Sequence, residues 1–113
     1  VHEVGIMTNI LRTAEETTRR NNGSKILKLK VRVGAMSGVV TEALQFAFEA
    51  LKNGTMAENA ELDIEVVPAV CFCLDCGSKY TPDEIDFLCP NCGSANIKLK
   101  NGRELDIISI DFL

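Results

Sequence analysis

The sequence predicts an α+β fold: a small sheet with two helices on one face, plus an inserted knuckle module of the zinc-ribbon or rubredoxin type. Three observations predict it. Two stretches carry apolar residues at helical spacing, and three carry them at strand spacing. Two copies of C-x-x-C-G-S, at residues 73–78 and 89–94, interrupt the chain before the last strand.

The first helix is announced by Met7, Ile10, Leu11 and Ala14, one apolar stripe at i, i+3, i+4 and i+7. Arg19, Arg20, Asn21, Asn22 and Gly23 end it, with positive charge where the helix dipole is negative. Over residues 27–33 the period changes to two. Leu27, Leu29, Val31 and Val33 face a core, and Lys28, Lys30 and Arg32 face water. Residues 34–40 form a glycine-containing loop, and Thr41 is the expected N-cap of a second helix burying Leu44, Ala47, Phe48 and Leu51. Asn53-Gly54 closes that helix.

Residues 61–67 complement the first strand, with Leu62, Ile64 and Val66 inward and Glu61, Asp63 and Glu65 outward. Acidic and basic rows of this kind pair well across neighbouring strands. A solvated sheet face explains the basic row better than a phosphate site does. Pro68 ends the strand, the knuckles follow, and Asn101-Gly102 turns the chain into a last strand, 105–113, with Ile108, Ile110 and Phe112 inward. Residues 1–69 and 102–113 are thus expected to form one domain and residues 70–101 a metal-binding one.

Each C-x-x-C turn aims two thiolates at one point, and the glycine after it can take positive φ. Cys73, Cys76, Cys89 and Cys92 therefore read as a tetrathiolate site, with zinc the default occupant and iron in a rubredoxin-like site the chemical alternative. A disulfide framework would need an oxidising compartment, and the N-terminus enters an amphipathic pattern with no signal-peptide core, so a reduced, cytoplasmic setting is expected. A redox C-x-x-C comes as one pair beside a βαβ unit, which does not fit two pairs in a Gly/Pro-rich stretch. Cys71 stands outside both motifs and reads as a spare thiol at a strand end.

With 113 residues and 46% hydrophobic content, the chain supports one small core plus a metal-held module. No apolar run nears the roughly 20 residues that cross a bilayer. The net charge of −4, more negative still with metal-bound thiolates, argues against a nucleic-acid zinc ribbon. No phosphate loop, dinucleotide fingerprint or nucleophile elbow occurs, and the lone histidine is His2, so no enzyme is expected. A histidine at position two does offer a metal its imidazole Nδ1, its own amide and the Val1 amine, with the Glu3 amide as a fourth nitrogen. Such planar nitrogen donors suit Ni(II) or Cu(II), against the plain reading of a solvated terminal side chain.

Val1-His2-Glu3-Val4-Gly5-Ile6-Met7, Val33-Gly34-Ala35-Met36-Ser37-Gly38-Val39, the two knuckles, and Asn101-Gly102-Arg103-Glu104-Leu105 together resemble the HypA family of hydrogenase nickel-incorporation proteins. The resemblance runs through essentially the whole chain with its motifs in order. It implies a nickel metallochaperone that works with the GTPase HypB to load the large subunit precursor of nickel-iron hydrogenase. Some members of the family also supply urease, whose accessory proteins would then be partners. Carried onto this chain, His2, the Val1 amine and the Glu3 backbone become nickel ligands, and Cys73, Cys76, Cys89 and Cys92 hold structural zinc. Family members begin with methionine where this chain has valine; an initiator methionine in that place would supply the same amine. Monomer and strand-exchanged homodimer both stay open. Set against this are a zinc-ribbon adaptor without nickel and a rubredoxin-like electron carrier.

Overall fold

The computed structural model describes residues 3–82 and 88–113. The nickel ligands expected at Val1 and His2 lie outside the described residues; Glu3 and all five cysteines lie within them. The elements are α1 (Glu3–Arg20), β1 (Ile26–Gly34), α2 (Thr41–Leu51), β2 (Glu61–Val67), β3 (Val70–Cys73), β4 (Lys79–Tyr80), β5 (Ile97–Asn101) and β6 (Leu105–Phe112). They form two separate three-stranded sheets, ordered β2-β1-β6 and β4-β3-β5.

The first sheet is mixed, because α2 carries the chain across so that β2 runs parallel to β1, whereas β6 returns antiparallel on the other side. Its core contains the stripes read from the sequence. Met7, Ile10, Leu11 and Ala14 of α1 and Leu44, Ala47 and Phe48 of α2 pack with Ile26, Leu29, Val31, Val33 and Leu62 of the sheet, and Leu51 is partly buried against them. The outer face is a charge mosaic. Lys28, Lys30 and Arg32 stand in register with Glu61, Asp63 and Glu65 on one side and with Asp111, Ser109 and Asp106 on the other. Lys28 meets Asp63 at 4.0 Å and Arg32 meets Glu65 at 3.4 Å, all four side chains about half exposed. Each pair is worth at most about 1 kcal/mol, so they favour this register more than they add stability. A basic row flanked by carboxylates on both sides also has little field left for phosphate.

Where strict alternation fails, two bulges explain it. The β1–β6 register jumps between Ile26 and Lys28 and again opposite Ile107 and Ser109, leaving Leu27 in one strand and Ile108 in the other as extra residues. An extra residue moves its neighbours to the opposite face. Thus Ile26 is fully buried and Leu27 is 41% exposed, contrary to the expected inward Leu27. Likewise Ile107 and Ile110 pack on the core while Ile108 and Phe112 remain substantially exposed, so only Ile110 of the expected trio is inward. Val66 is also exposed, because the core reaches Leu62 and Ile64 on this edge strand and stops short of it. Thr41 is the first residue of α2, not its cap. The N-cap is Val40, which offers no side-chain acceptor. Its own backbone N–H instead donates to the Glu3 carboxylate at 3.2 Å, tying the start of α1 to the start of α2.

The Cα radius of gyration is 17.5 Å, against about 13 Å for a compact chain of this length. The principal extents are 54 × 25 × 17 Å, so the molecule is elongated. Both connections between the sheets are short: Pro68 and Ala69 lead out of β2, and residues 102–104 lead back into β6.

Candidate metal centre

Two turns of identical construction bring the sulfurs together. In the first, the Gly77 N–H donates to the Cys73 carbonyl at 2.9 Å and the Cys73 N–H to the Ser78 carbonyl at 2.9 Å. In the second, the Gly93 N–H donates to the Cys89 carbonyl at 2.8 Å and the Cys89 N–H to the Ser94 carbonyl at 2.9 Å. Gly77 and Gly93 have φ of +77° and +75°. An added Cβ would meet nothing within 4 Å at either, so glycine is needed there for backbone conformation and not for space. The repeated C-x-x-C-G-S thus encodes one turn twice.

The four sulfurs of Cys73, Cys76, Cys89 and Cys92 all lie within 4.8 Å of one another. Cys73 is 3.6 Å from Cys92, and Cys76 is 3.6 Å from Cys89. A regular tetrahedron of sulfurs about 2.3 Å from a central zinc has edges of about 3.8 Å, so the donor set fits that ion. Cys73 and Cys89 are buried while Cys76 and Cys92 face solvent. Cys71 is fully buried but is not part of the cluster.

Polar side chains stitch one turn to the other. Asp75 of the first accepts from the Ser94 hydroxyl and, at 3.2 Å, from the Asn96 amide of the second, which together hold its carboxyl below the usual carboxylate range. Asn91 of the second donates to the Ser78 hydroxyl at 3.2 Å and lies 3.7 Å from the Cys76 sulfur. The Leu74 N–H donates to the Asn96 carbonyl at 3.0 Å. Asp75, Ser78, Asn91 and Ser94 sit inside the motif copies, yet their roles were invisible as letters, since each acts on the opposite copy. The same surroundings split the thiols. Ser78, through its hydroxyl and its backbone N–H, and then Asn91 hold Cys76 down to about 6. At Cys92 the Ser94 N–H favours ionisation, but the neighbouring Cys73, desolvation, Cys76 and Cys89 together push it up to about 12. Four thiolates this close cannot all carry charge without a cation between them. A divalent metal supplies that cation and displaces the protons.

The groove between α1 and β6, lined by Ile6, Asn9, Ile10, Thr13, Leu105, Asp106 and Ile107, encloses about 310 Å³. None of the cysteines lines it. No helix among the described residues is long and apolar enough to cross a membrane.

A helix-backed mixed sheet carrying a separate four-sulfur knuckle centre defines a small α+β metal-binding protein. Residues 1–112 match the family described as hydrogenase/urease nickel incorporation, metallochaperone, HypA. The chain is 43% identical over 113 residues to the hydrogenase maturation factor HypA of a Picosynechococcus species, covering all of both chains. It is 36% identical over 111 residues to that of Aquifex aeolicus, covering 98% of this chain and 96% of the relative. The solution structure of the Ni metallochaperone HypA from Helicobacter pylori superposes with a TM-score of 0.71 at 26% identity, covering 100% of this chain and 98% of the other. The chain belongs to the HypA family of nickel-incorporation metallochaperones that act in hydrogenase maturation.

Proposed function

We propose that this chain binds Ni(II) at its N-terminus and delivers it in the cytoplasm, with the GTPase HypB, to the large subunit precursor of nickel-iron hydrogenase. The observation that carries the reading is a family match that begins at residue 1 and so includes the His2 position. The nickel ligands are the Val1 amine, the amide and imidazole of His2, and the backbone of Glu3. Glu3 opens α1 and its carboxylate is held by the Val40 N–H, which supports a donor set at the margin of the folded core. Ligands at a chain end can be competed for by a partner without unfolding the domain. Cys73, Cys76, Cys89 and Cys92 hold structural zinc in a module of residues 70–101, and residues 1–69 with 102–113 form the nickel-binding domain. The two metals then divide by chemistry: a closed thiolate site keeps its ion, and an exchangeable nitrogen site gives its ion up. Urease is a second client by the family's description, and a homodimer would leave these ligand sets unchanged.

Equilibrium nickel titration of untagged protein tests the reading. One Ni(II) should bind in addition to one zinc, and binding should weaken steeply as pH falls through about 8 to 6.5, where the amine and imidazole regain protons. His2→Ala should abolish tight binding with zinc content unchanged. An uncleaved N-terminal tag should do equal damage, since it turns the amine into an amide. Zinc alone, with no nickel bound, would point to an adaptor, and a red iron form to an electron carrier.

A further inference from the structure

The two copies of C-x-x-C-G-S build the same turn, but their serines serve different partners. In the first copy the Ser78 hydroxyl lies 3.3 Å from the Cys76 sulfur. Its oxygen accepts the Asn91 side-chain N–H at 3.2 Å, and the same amide group lies 3.7 Å from that sulfur. A serine hydroxyl has one proton to give. With Asn91 on its acceptor side, Ser78 keeps that proton for Cys76, and a metal-bound thiolate, having none of its own, can only accept it. In the second copy the Ser94 proton goes to the Asp75 carboxylate, while the Ser94 oxygen accepts the Asn96 backbone N–H at 3.0 Å. Ser94 therefore has no proton left for Cys92. Among the described residues, the side chains that reach the Cys92 sulfur are those of its fellow cysteines, with Cys73 at 3.6 Å.

We propose that Ser78, held by Asn91, is a positioning residue of the four-cysteine centre that quiets the Cys76 thiolate, and that Cys92 is thereby left as the reactive ligand. Cys73 and Cys89 are buried, so Cys76 and Cys92 are the ligands that a reagent in solution can meet. Both are exposed, and exposure does not rank them. The donated hydrogen bond does. It draws charge from the Cys76 sulfur and makes that sulfur the poorer nucleophile, because bonds to an ionised acceptor are the strong ones. Cys92 lacks such a donor, so an electrophile attacks there first and opens the site from the second knuckle. Two turns identical in sequence thus hold ligands of unequal reactivity.

The test treats the zinc-loaded protein with substoichiometric iodoacetamide, which forms a thioether at sulfur and releases iodide, and locates the label by peptide mass. Wild type should carry it on Cys92 about tenfold more often than on Cys76, the scale of one hydrogen bond to a charged acceptor. Ser78→Ala should bring that ratio close to one, and Ser78→Thr, which keeps a hydroxyl, should restore it. Ser94→Ala should leave Cys92 preferred, since the hydroxyl it removes serves Asp75. Equal labelling of Cys76 and Cys92 in wild type would overturn the proposal without any variant. A ratio that Ser78→Ala leaves unchanged, or that Ser94→Ala abolishes, would overturn it as well. Nothing in the readout involves nickel, so the outcome is independent of the delivery function.

Discussion

Glu104 turns its carboxylate back on its own loop and accepts the Gly102 N–H at 2.7 Å. The backbone N–H groups of Glu104 and Gly102, then that of Arg103 and the charge of Arg32, hold its carboxyl below its ordinary value of 4.5. The folded state therefore prefers the ionised form more than the unfolded chain does. The resulting stabilisation is fully present above about pH 4.5 and is lost as pH falls through the lower folded value. The Gly102 amide resonance should accordingly titrate with a midpoint below 4.5, and Glu104→Gln should remove that transition. The cysteines make a sharper contrast. Cys73→Ala or Cys92→Ala should release zinc, since three thiolates no longer close the site, while Cys71→Ala should keep it. Zinc analysis after gel filtration decides this, and zinc retained by Cys73→Ala but lost by Cys71→Ala would reverse the ligand assignment.

Among the elements, the junction between the two sheets is the tightest place. The Gly34 N–H donates to the Glu104 carbonyl at 2.7 Å, the Ala35 N–H to the Val67 carbonyl at 2.8 Å, and the Met36 N–H to the Gly102 carbonyl at 2.6 Å. The end of β1 thus holds both connecting segments. A Cβ on Gly34 would fall 2.1 Å from the carbonyl carbon and oxygen of Gly102, which are backbone atoms and cannot swing aside. Gly34→Ala should destabilise the protein by about 3 kcal/mol through overpacking, read as a lower urea midpoint. A midpoint within error of wild type would mean the junction has room to spare. Phe48, fully buried between α2 and the sheet, should cost about 3–5 kcal/mol when cut to alanine, by the same measurement.

For the whole molecule, each sheet draws on a different source of stability. The helix-backed sheet has a contiguous apolar core, whereas the described buried apolar residues of the other sheet and its knuckle turns are Cys71, Cys73 and Cys89. Removing zinc with a chelator should therefore disorder roughly residues 70–100 and leave the helical signal in place. Backbone NMR resolves the two regions, and simultaneous collapse of both would show that they fold as one unit. At net charge −4 the chain should show no DNA binding at physiological salt, and a salt-sensitive micromolar shift would contradict the electrostatic argument.

Both helices, the three strands of the first sheet and the four clustered sulfurs were legible in the chain because each rests on local spacing. A 3.6-residue stripe, a two-residue alternation and a doubled C-x-x-C-G-S need no knowledge of distant partners. The pairing of β1 with β2 was legible for a related reason, since opposite charges occur at matching phase in both strands. Family membership followed from the order of the motifs. The tertiary structure decided what depends on a partner remote in sequence. The bulges at Leu27 and Ile108 arise from fitting β6 to β1, so neither strand alone reveals which residue turns outward. The second sheet escaped notice because its strands are short and its partners, β3 and β5, are separated by both knuckles. The contact of Asp75 with Ser94 and Asn96 and the approach of Gly34 to Gly102 are likewise products of folding. Periodicity records which face of an element is apolar; only packing sets the element's neighbours, and the neighbours decide which residue of a bulged strand turns outward and which polar group finds a partner.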